Sequence, residues 1–423
     1  MDMHSRRPLR VALQGGGALG AYSWGVLDAL LASRSVDLTH FSGTSAGALN
    51  AAICASAIAS AGPTSGRREA RRALASFWQA ISSSPWTDYV GLLWGPVAQS
   101  MRKGFGEWLW TSAMASPYGR HILPAMAATP LATVLEKHID IDALRSNAAP
   151  RVFVTLTHVG TGLPRVIGNP DLSIDVLLAS ACLPQMFRAV EIDGESFWDG
   201  GYTGNPTLWP LVRHPGEADI CLVQLSPGTV QTMPIEVSQI RQRVGEVVFH
   251  SSLVAEMQAI QAIRASARAQ HISNKFTRAR FHRIGPPPDE IAGAGAATDR
   301  SPRFIRLLAD GGRDAARAFL ARDAKAIGQR ETLEISKHFV DAHRTRWTTD
   351  SATAGALDQA PLRRLRRTTS PDSPSEPRAA PLPKPLPESR QARLRVPLAW
   401  NLPDANPRSI AATPVEWQSD GAG

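Results

Sequence analysis

A serine framed by glycines, Gly43-Thr44-Ser45-Ala46-Gly47, and an acid ahead of two glycines, Asp199-Gly200-Gly201, are the residues of this chain whose types can do chemistry together. A serine hydroxyl becomes a nucleophile when a base takes its proton and preformed donors receive the oxyanion that attack creates. Asp199 can take that proton as an acyl carbon is attacked and return it to the leaving group. A carboxylate is a feeble base for an alcohol, so such a pair needs oriented dipoles, each worth about 3 to 4 kcal/mol in known cases. A second glycine cluster, Gly15-Gly16-Gly17-Ala18-Leu19-Gly20, offers backbone amides for that purpose.

The elements around these residues are readable. Arg10-Val11-Ala12-Leu13-Gln14 reads as a buried strand before the first glycine cluster, and Leu38-Thr39-His40-Phe41-Ser42 as a strand before Ser45. Helical spacing follows in Ala21 to Leu31, and Ala46 to Ala61 is small and apolar enough for a helix buried against a sheet. This β-α-β-α opening predicts an α/β fold with a parallel sheet. The N-terminus of the second of these helices would direct free amides, that of Ala46 included, toward Ser45. Further strands are expected at Val152 to Thr157, Pro164 to Ile167, Asp219 to Leu225 and Ala279 to Ile284. Helices are expected at Ser173 to Ala181, Ser238 to Gln270, Pro302 to Ala309 and Arg313 to Gly328.

Gly-Gly-Gly-x-x-Gly, then Gly-x-Ser-x-Gly, then Asp-Gly-Gly, in that order over about 10–225, resembles the patatin-like phospholipase family, in its bacterial branch with a C-terminal extension. The resemblance implies a three-layer α/β/α fold with a mainly parallel sheet and a lipid acyl hydrolase. It makes Ser45 the nucleophile, Asp199 its dyad partner and the amides of Gly15, Gly16 and Gly17 the oxyanion hole. It requires no histidine, cofactor or metal. Leu19 stands where the family often has Arg or Lys. The implied reaction cleaves carboxylic esters of lipids through an acyl-Ser45 intermediate.

Other readings remain open. Gly15-x-Gly17-x-x-Gly20 after a strand also fits a dinucleotide-binding loop, with Asp37 at about the right distance for a ribose. Against it, the ribose-binding acid should end the second strand, and Asp37 precedes Leu38 to Phe41. An α/β-hydrolase uses the same pentapeptide, but its serine follows several strands and its triad needs a histidine. His214, His250, His271 and His282 lie beyond Asp199 and read as surface or half-buried. Asp-Gly is also an ordinary hairpin dipeptide, and Asn205-Pro206 just beyond it either shapes the site or, more simply, ends a turn. A hydrolase fold kept as a catalytically silent, membrane-associated scaffold is the third alternative.

With 423 residues, 43% hydrophobic and 20% charged, the chain can bury a large core. Cys54, Cys182 and Cys221, odd in number and scattered, predict free thiols and a reducing compartment. The N-terminus lacks a secretory apolar stretch, and the expected location is cytoplasmic with peripheral membrane contact compatible with the net charge of +9. Nucleic acid is not an expected partner, and the oligomeric state is unreadable. The chain divides into a catalytic domain over 1–225, a mainly helical extension over 226–347 packing on it, and a proline-rich tail over 348–423 read as disordered. That tail carries a basic patch, Arg363 to Arg367, and a proline-rich run from Pro381 to Pro387 suited to polyproline II. Within the first part, an insertion over 62–140 holds Trp78, Trp86, Trp94, Trp108 and Trp110, which suits a lid or lipid-facing surface or, more plainly, internal packing. Arg67, Arg68, Arg71 and Arg72 precede all five as a solvated face or a headgroup contact.

Overall fold

The computed structural model describes residues 6–83, 129–184, 187–216, 218–230, 233–288, 297 and 299–340. Trp86, Trp94, Trp108 and Trp110, the Arg363 to Arg367 patch and the Pro381 to Pro387 run lie outside the described residues.

Eight strands form one sheet: β1 (Arg7–Leu13), β2 (Val36–Gly43), β3 (Arg151–His158), β4 (Pro164–Gly168), β5 (Val190–Ile192), β6 (Glu195–Asp199), β7 (Asp219–Val223) and β8 (Arg280–Ile284). Their order is β5-β6-β3-β2-β1-β7-β8, with β4 also paired to β3. The run from β3 to β8 is parallel, while β4 and β6 meet β3 antiparallel and β5 meets β6 antiparallel. Every residue of β7 and the last five of β1 are buried, as expected for parallel strands covered on both faces.

Nine α-helices surround it: α1 (Gly20–Ala32), α2 (Ala46–Ser83), α3 (Thr129–His138), α4 (Ile141–Arg145), α5 (Ile174–Ser180), α6 (Trp209–Arg213), α7 (Val237–Ala269), α8 (Lys275–Arg278) and α9 (Pro302–Asp323) among the described residues. Alternate side chains of one strand feed opposite cores. Val11, Leu13, Cys221 and Val223 join the core built with α1, α2, α5 and α9. Ala12, Ile220 and Leu222 join a separate core with α6 and α7. The result is a mostly parallel sheet between two helical layers.

Two helix boundaries differ from expectation. α2 runs past Ala61 to Ser83, with a break at Gly62 (φ 71°) before Pro63. The Pro302 to Ala309 and Arg313 to Gly328 segments form one helix, α9. A methyl on Gly312 would overlap the carbonyl of Tyr22, and one on Gly25 the carbonyl of Ala309, so these glycines let α9 lie directly on α1.

Of the arginines before the tryptophans, Arg67 and Arg71 are structural. Arg67 donates to the carbonyls of Leu30, Leu31, Ser33 and Val36 at 2.8–3.1 Å and pairs with Asp37, and Arg71 pairs with Asp28 at 2.7 Å. Arg68 and Arg72, both exposed, share the half-buried Glu69. Trp78 is buried and donates to Asn50 Oδ1 at 2.9 Å, which makes it a packing residue and not part of a lid.

Across β7 and β8, Asp219 accepts from Arg280 Nη2 at 2.7 Å, His282 Nε2 at 3.1 Å and the Gly328 amide at 2.9 Å. His282 is fully buried by this contact, which corrects its reading as a surface or half-buried residue. Burial pushes the Asp219 carboxyl up, but the His282, Arg280 and Gly328 bonds outweigh it and hold the pKa at about 2. Because the folded value is depressed, this carboxylate stabilises the fold above its unfolded pKa near 4 and loses that effect as pH falls toward 2. Asp219→Asn should cost about 3 kcal/mol at pH 7 by removing a buried carboxylate bonded to Arg280, His282 and the Gly328 amide. The gap from wild type should close toward pH 2, which denaturant titrations at the two pH values would check.

Candidate active site

Register brings the glycine loop and the serine turn together. Leu13 at the end of β1 pairs in parallel with Gly43 at the end of β2, so the segments that follow leave the sheet side by side, about 4.8 Å apart. A methyl group on Gly15 would lie 2.7 Å from both Ser45 Cβ and the Thr44 carbonyl oxygen. Ser45 itself has φ 52°, the left-handed region that a non-glycine residue occupies only when its surroundings force it. The turn aims the side chain out of the chain path between β2 and α2.

Asp199 arrives from the opposite direction. β4 pairs with β3 from Phe153 to Thr157, which places both β2 (pairing up to Val154) and β6 (pairing from Leu156) on the other flank of β3. On that flank β2 ends at Gly43 opposite Val154 and antiparallel β6 ends at Asp199 opposite Leu156. The two strand ends therefore face each other across two residues of β3, about 7 Å, and the Ser45 turn fills the gap.

Asp199 is fully buried. Its Oδ1 accepts the Gly201 amide at 2.7 Å, while Oδ2 completes no hydrogen bond. Burial raises its pKa to about 7, against the opposing pull of the Gly201 amide and of the Ser45 hydroxyl. The Ser45 hydroxyl thus acts on this carboxyl at close range without full hydrogen-bond geometry, the loose arrangement common before substrate binds. Both glycines after Asp199 are sterically required, since a methyl on Gly200 would overlap the Thr155 carbonyl and one on Gly201 the Phe249 ring.

Buried polar residues hold these pieces. Ser180 Oγ accepts the Ser45 amide at 3.0 Å and donates to the Thr155 carbonyl at 2.9 Å. Asn205, whose peptide bond to Pro206 is cis, is more than a turn residue: its Oδ1 accepts the Gly15 amide at 2.6 Å and its Nδ2 donates to the Phe249 carbonyl at 3.0 Å. Gln14 Oε1 accepts the amides of Leu225 and Ser226 at 2.7 and 3.0 Å, and its Nε2 donates to the Asn205 carbonyl. A polar residue closing an apolar strand, as Gln14 does, was a hint available in the sequence.

These bonds decide which amides are on offer. The Gly15 amide is taken by Asn205 and that of Ser45 by Ser180. Gly15, which the family resemblance put in the oxyanion hole, thus serves through its missing side chain. Gly16 and Gly17 have no acceptor for their amides among the described residues, and Ala46 opens α2, where an amide has no partner within the helix. The loop beyond them is fixed by Ala18, whose amide donates to the Ala297 carbonyl at 2.9 Å.

Asp37 lies at the start of β2, paired with Pro8, at the opposite end of the strands from Gly15 to Gly20. A ribose bound over that loop is out of its reach, and its carboxylate is engaged by Arg67. Among the described residues no group of three or more His, Cys, Asp or Glu is placed to hold a metal ion.

The family model for patatin-like phospholipases matches residues 11–212, which includes both glycine motifs and Asp199. No curated protein matches the chain. Among solved structures, VipD from Legionella pneumophila is 14% identical with a TM-score of 0.34, over 87% of this chain and 81% of that one. ExoU in its heterodimeric complex with SpcU, from the type III secretion system of Pseudomonas aeruginosa, is 13% identical with a TM-score of 0.29, over 83% of this chain and 61% of that one. A sheet whose parallel core ends in a glycine loop and a serine turn, met from the far side by Asp-Gly-Gly, agrees with the match of residues 11–212 to the patatin-like phospholipase model.

Proposed function

We propose that this protein cleaves carboxylic esters of lipids with Ser45 as nucleophile and Asp199 as its base and acid. The observation that carries the reading is the end-to-end approach of β2 and β6 along one flank of β3, which aims Asp199 at the Ser45 turn. Ser45 Oγ attacks the acyl carbon while Asp199 takes the hydroxyl proton. The amides of Gly16, Gly17 and Ala46 receive the oxyanion. Collapse breaks the ester bond, the alcohol leaves with the proton from Asp199, and an acyl-Ser45 remains. Water, deprotonated by the same carboxylate, then releases the fatty acid and restores the serine.

Ionised Asp199 is required for the first step, so kcat/KM should rise with pH through about 7, where burial places this carboxyl. A fluorophosphonate probe offers a direct test. Wild type should be labelled at Ser45 and Ser45→Ala should not, and a panel of phospholipids, lysophospholipids and glycerides should be turned over by wild type alone. Labelling that survives in Ser45→Ala would overturn the proposal. Vesicle binding by wild type with neither labelling nor turnover would favour the silent scaffold.

A further inference from the structure

A cleft of about 400 Å³ opens where the last turns of α7, the α8 to β8 corner and the 329–331 segment meet. Arg264, Arg268, Arg278, Arg280 and Arg330 line it, with Glu331 as the acid in its wall. Two of these charges are already matched. Arg264, buried with its guanidinium over the Phe281 ring, donates to Glu331 at 3.0 Å, and Arg280 grips Asp219. Arg268, Arg278 and Arg330 are exposed and have no acidic partner among the described residues.

Three unpaired guanidiniums around one concavity repel one another over distances comparable with the Debye length of about 8 Å at physiological salt. The framework also prevents the wall acid from relieving them, because Arg264 occupies Glu331. A bound anion removes that repulsion, and the planar forks of arginine suit the tetrahedral oxygens of a phosphoryl group. One phosphoryl group carries at most about two charges against three guanidiniums, and a cleft of about 400 Å³ has room for more than one.

We propose that this cleft binds a ligand carrying two or more phosphoryl groups, either a free polyphosphate or the multiply phosphorylated headgroup of a lipid. It is a separate site from Ser45. Asp219 and Arg280 mark the starting ends of β7 and β8, whereas the serine turn lies beyond Leu13 and Val223 at their finishing ends, some four residues or about 13 Å of strand away. The proposal does not depend on the hydrolase reading, and Ser45→Ala should bind as wild type does.

The test uses the full chain and a variant carrying Arg268→Ala, Arg278→Ala and Arg330→Ala, three exposed positions where truncation leaves the fold intact, as a melting curve would verify. Tripolyphosphate is titrated calorimetrically at about 0.15 M salt. Flotation is measured with phosphatidylcholine vesicles carrying either a bisphosphorylated inositol lipid or phosphatidylserine. Binding of tripolyphosphate that weakens at least about tenfold in the triple variant supports a free polyphosphate. Flotation with the inositol lipid alone, lost in the triple variant, supports the headgroup. Equal flotation with phosphatidylserine, affinity unchanged in the variant, or no binding of either probe by wild type overturns the proposal.

Discussion

Asp199→Asn should reduce kcat/KM by about 10²- to 10⁴-fold, the range associated with a positioned base, and should at the same time make the protein more stable at pH 8. The two effects share a cause. Asparagine keeps the acceptor that holds the Gly201 amide at 2.7 Å, so the turn survives, but its amide offers Ser45 a donor where a proton acceptor is needed. For stability, the sign follows from a folded pKa of about 7 against an unfolded value near 4. The folded state holds its proton more tightly, so wild type loses stability as pH rises from 4 to 7 and stays at the lower level above that. Removing the buried charge should therefore return on the order of 3 kcal/mol at pH 8 and almost nothing at pH 4. Urea titrations at the two pH values give the readout. Glu256, which burial also raises to about 7, is common to both proteins and drops out of the comparison. An asparagine variant retaining more than about a tenth of wild-type turnover would show that another base operates.

Gly15→Ala should cost most of the turnover. The added carbon meets the Thr44 carbonyl oxygen and Ser45 Cβ, each at 2.7 Å, and neither can rotate away. The loop or the serine turn must shift, stretching the 2.6 Å bond from the Gly15 amide to Asn205 and misplacing the nucleophile. A displacement approaching 1 Å is worth about 10²-fold in rate, and the overpacking about 1 to 3 kcal/mol in stability. Gly245→Ala is the matched contrast. Gly245 lies within α7 with nothing near its would-be Cβ, so alanine there should leave turnover unchanged and stabilise the helix by about 0.5 to 1 kcal/mol. Equal activity of the two variants would mean that Gly15 does not set the position of Ser45.

The parts of the site built by local rules were legible. Glycine loops after apolar runs predicted β1 and β2 and the turns beyond them, and Asp199-Gly200-Gly201 stood out by type. Their meeting was not legible, because it depends on β6 joining β3 antiparallel on the flank that β2 leaves open, a pairing between residues about forty apart in sequence. Ser180 and Gln14 escaped for a related reason: a lone buried polar residue has no periodicity and acquires its role only from distant amides. At Gly311-Gly312 a propensity argument failed outright. The pair reads as a helix break, yet α9 continues through it because the close fit of Gly312 on Tyr22 outweighs the intrinsic cost of glycine in a helix.

The interlock of α1 with α9 has a practical corollary. Almost every position of α1 is buried, so it has no face suited to water, and its cover comes from a stretch lying some ninety residues past the end of the family match. Shortening the protein to 1–225 would strip that cover and bare the edge of β7 in the same cut, leaving a greasy groove beside an open ladder of backbone groups. Such a fragment should collect in inclusion bodies, and the smallest soluble version of this protein should have to reach past Asp323.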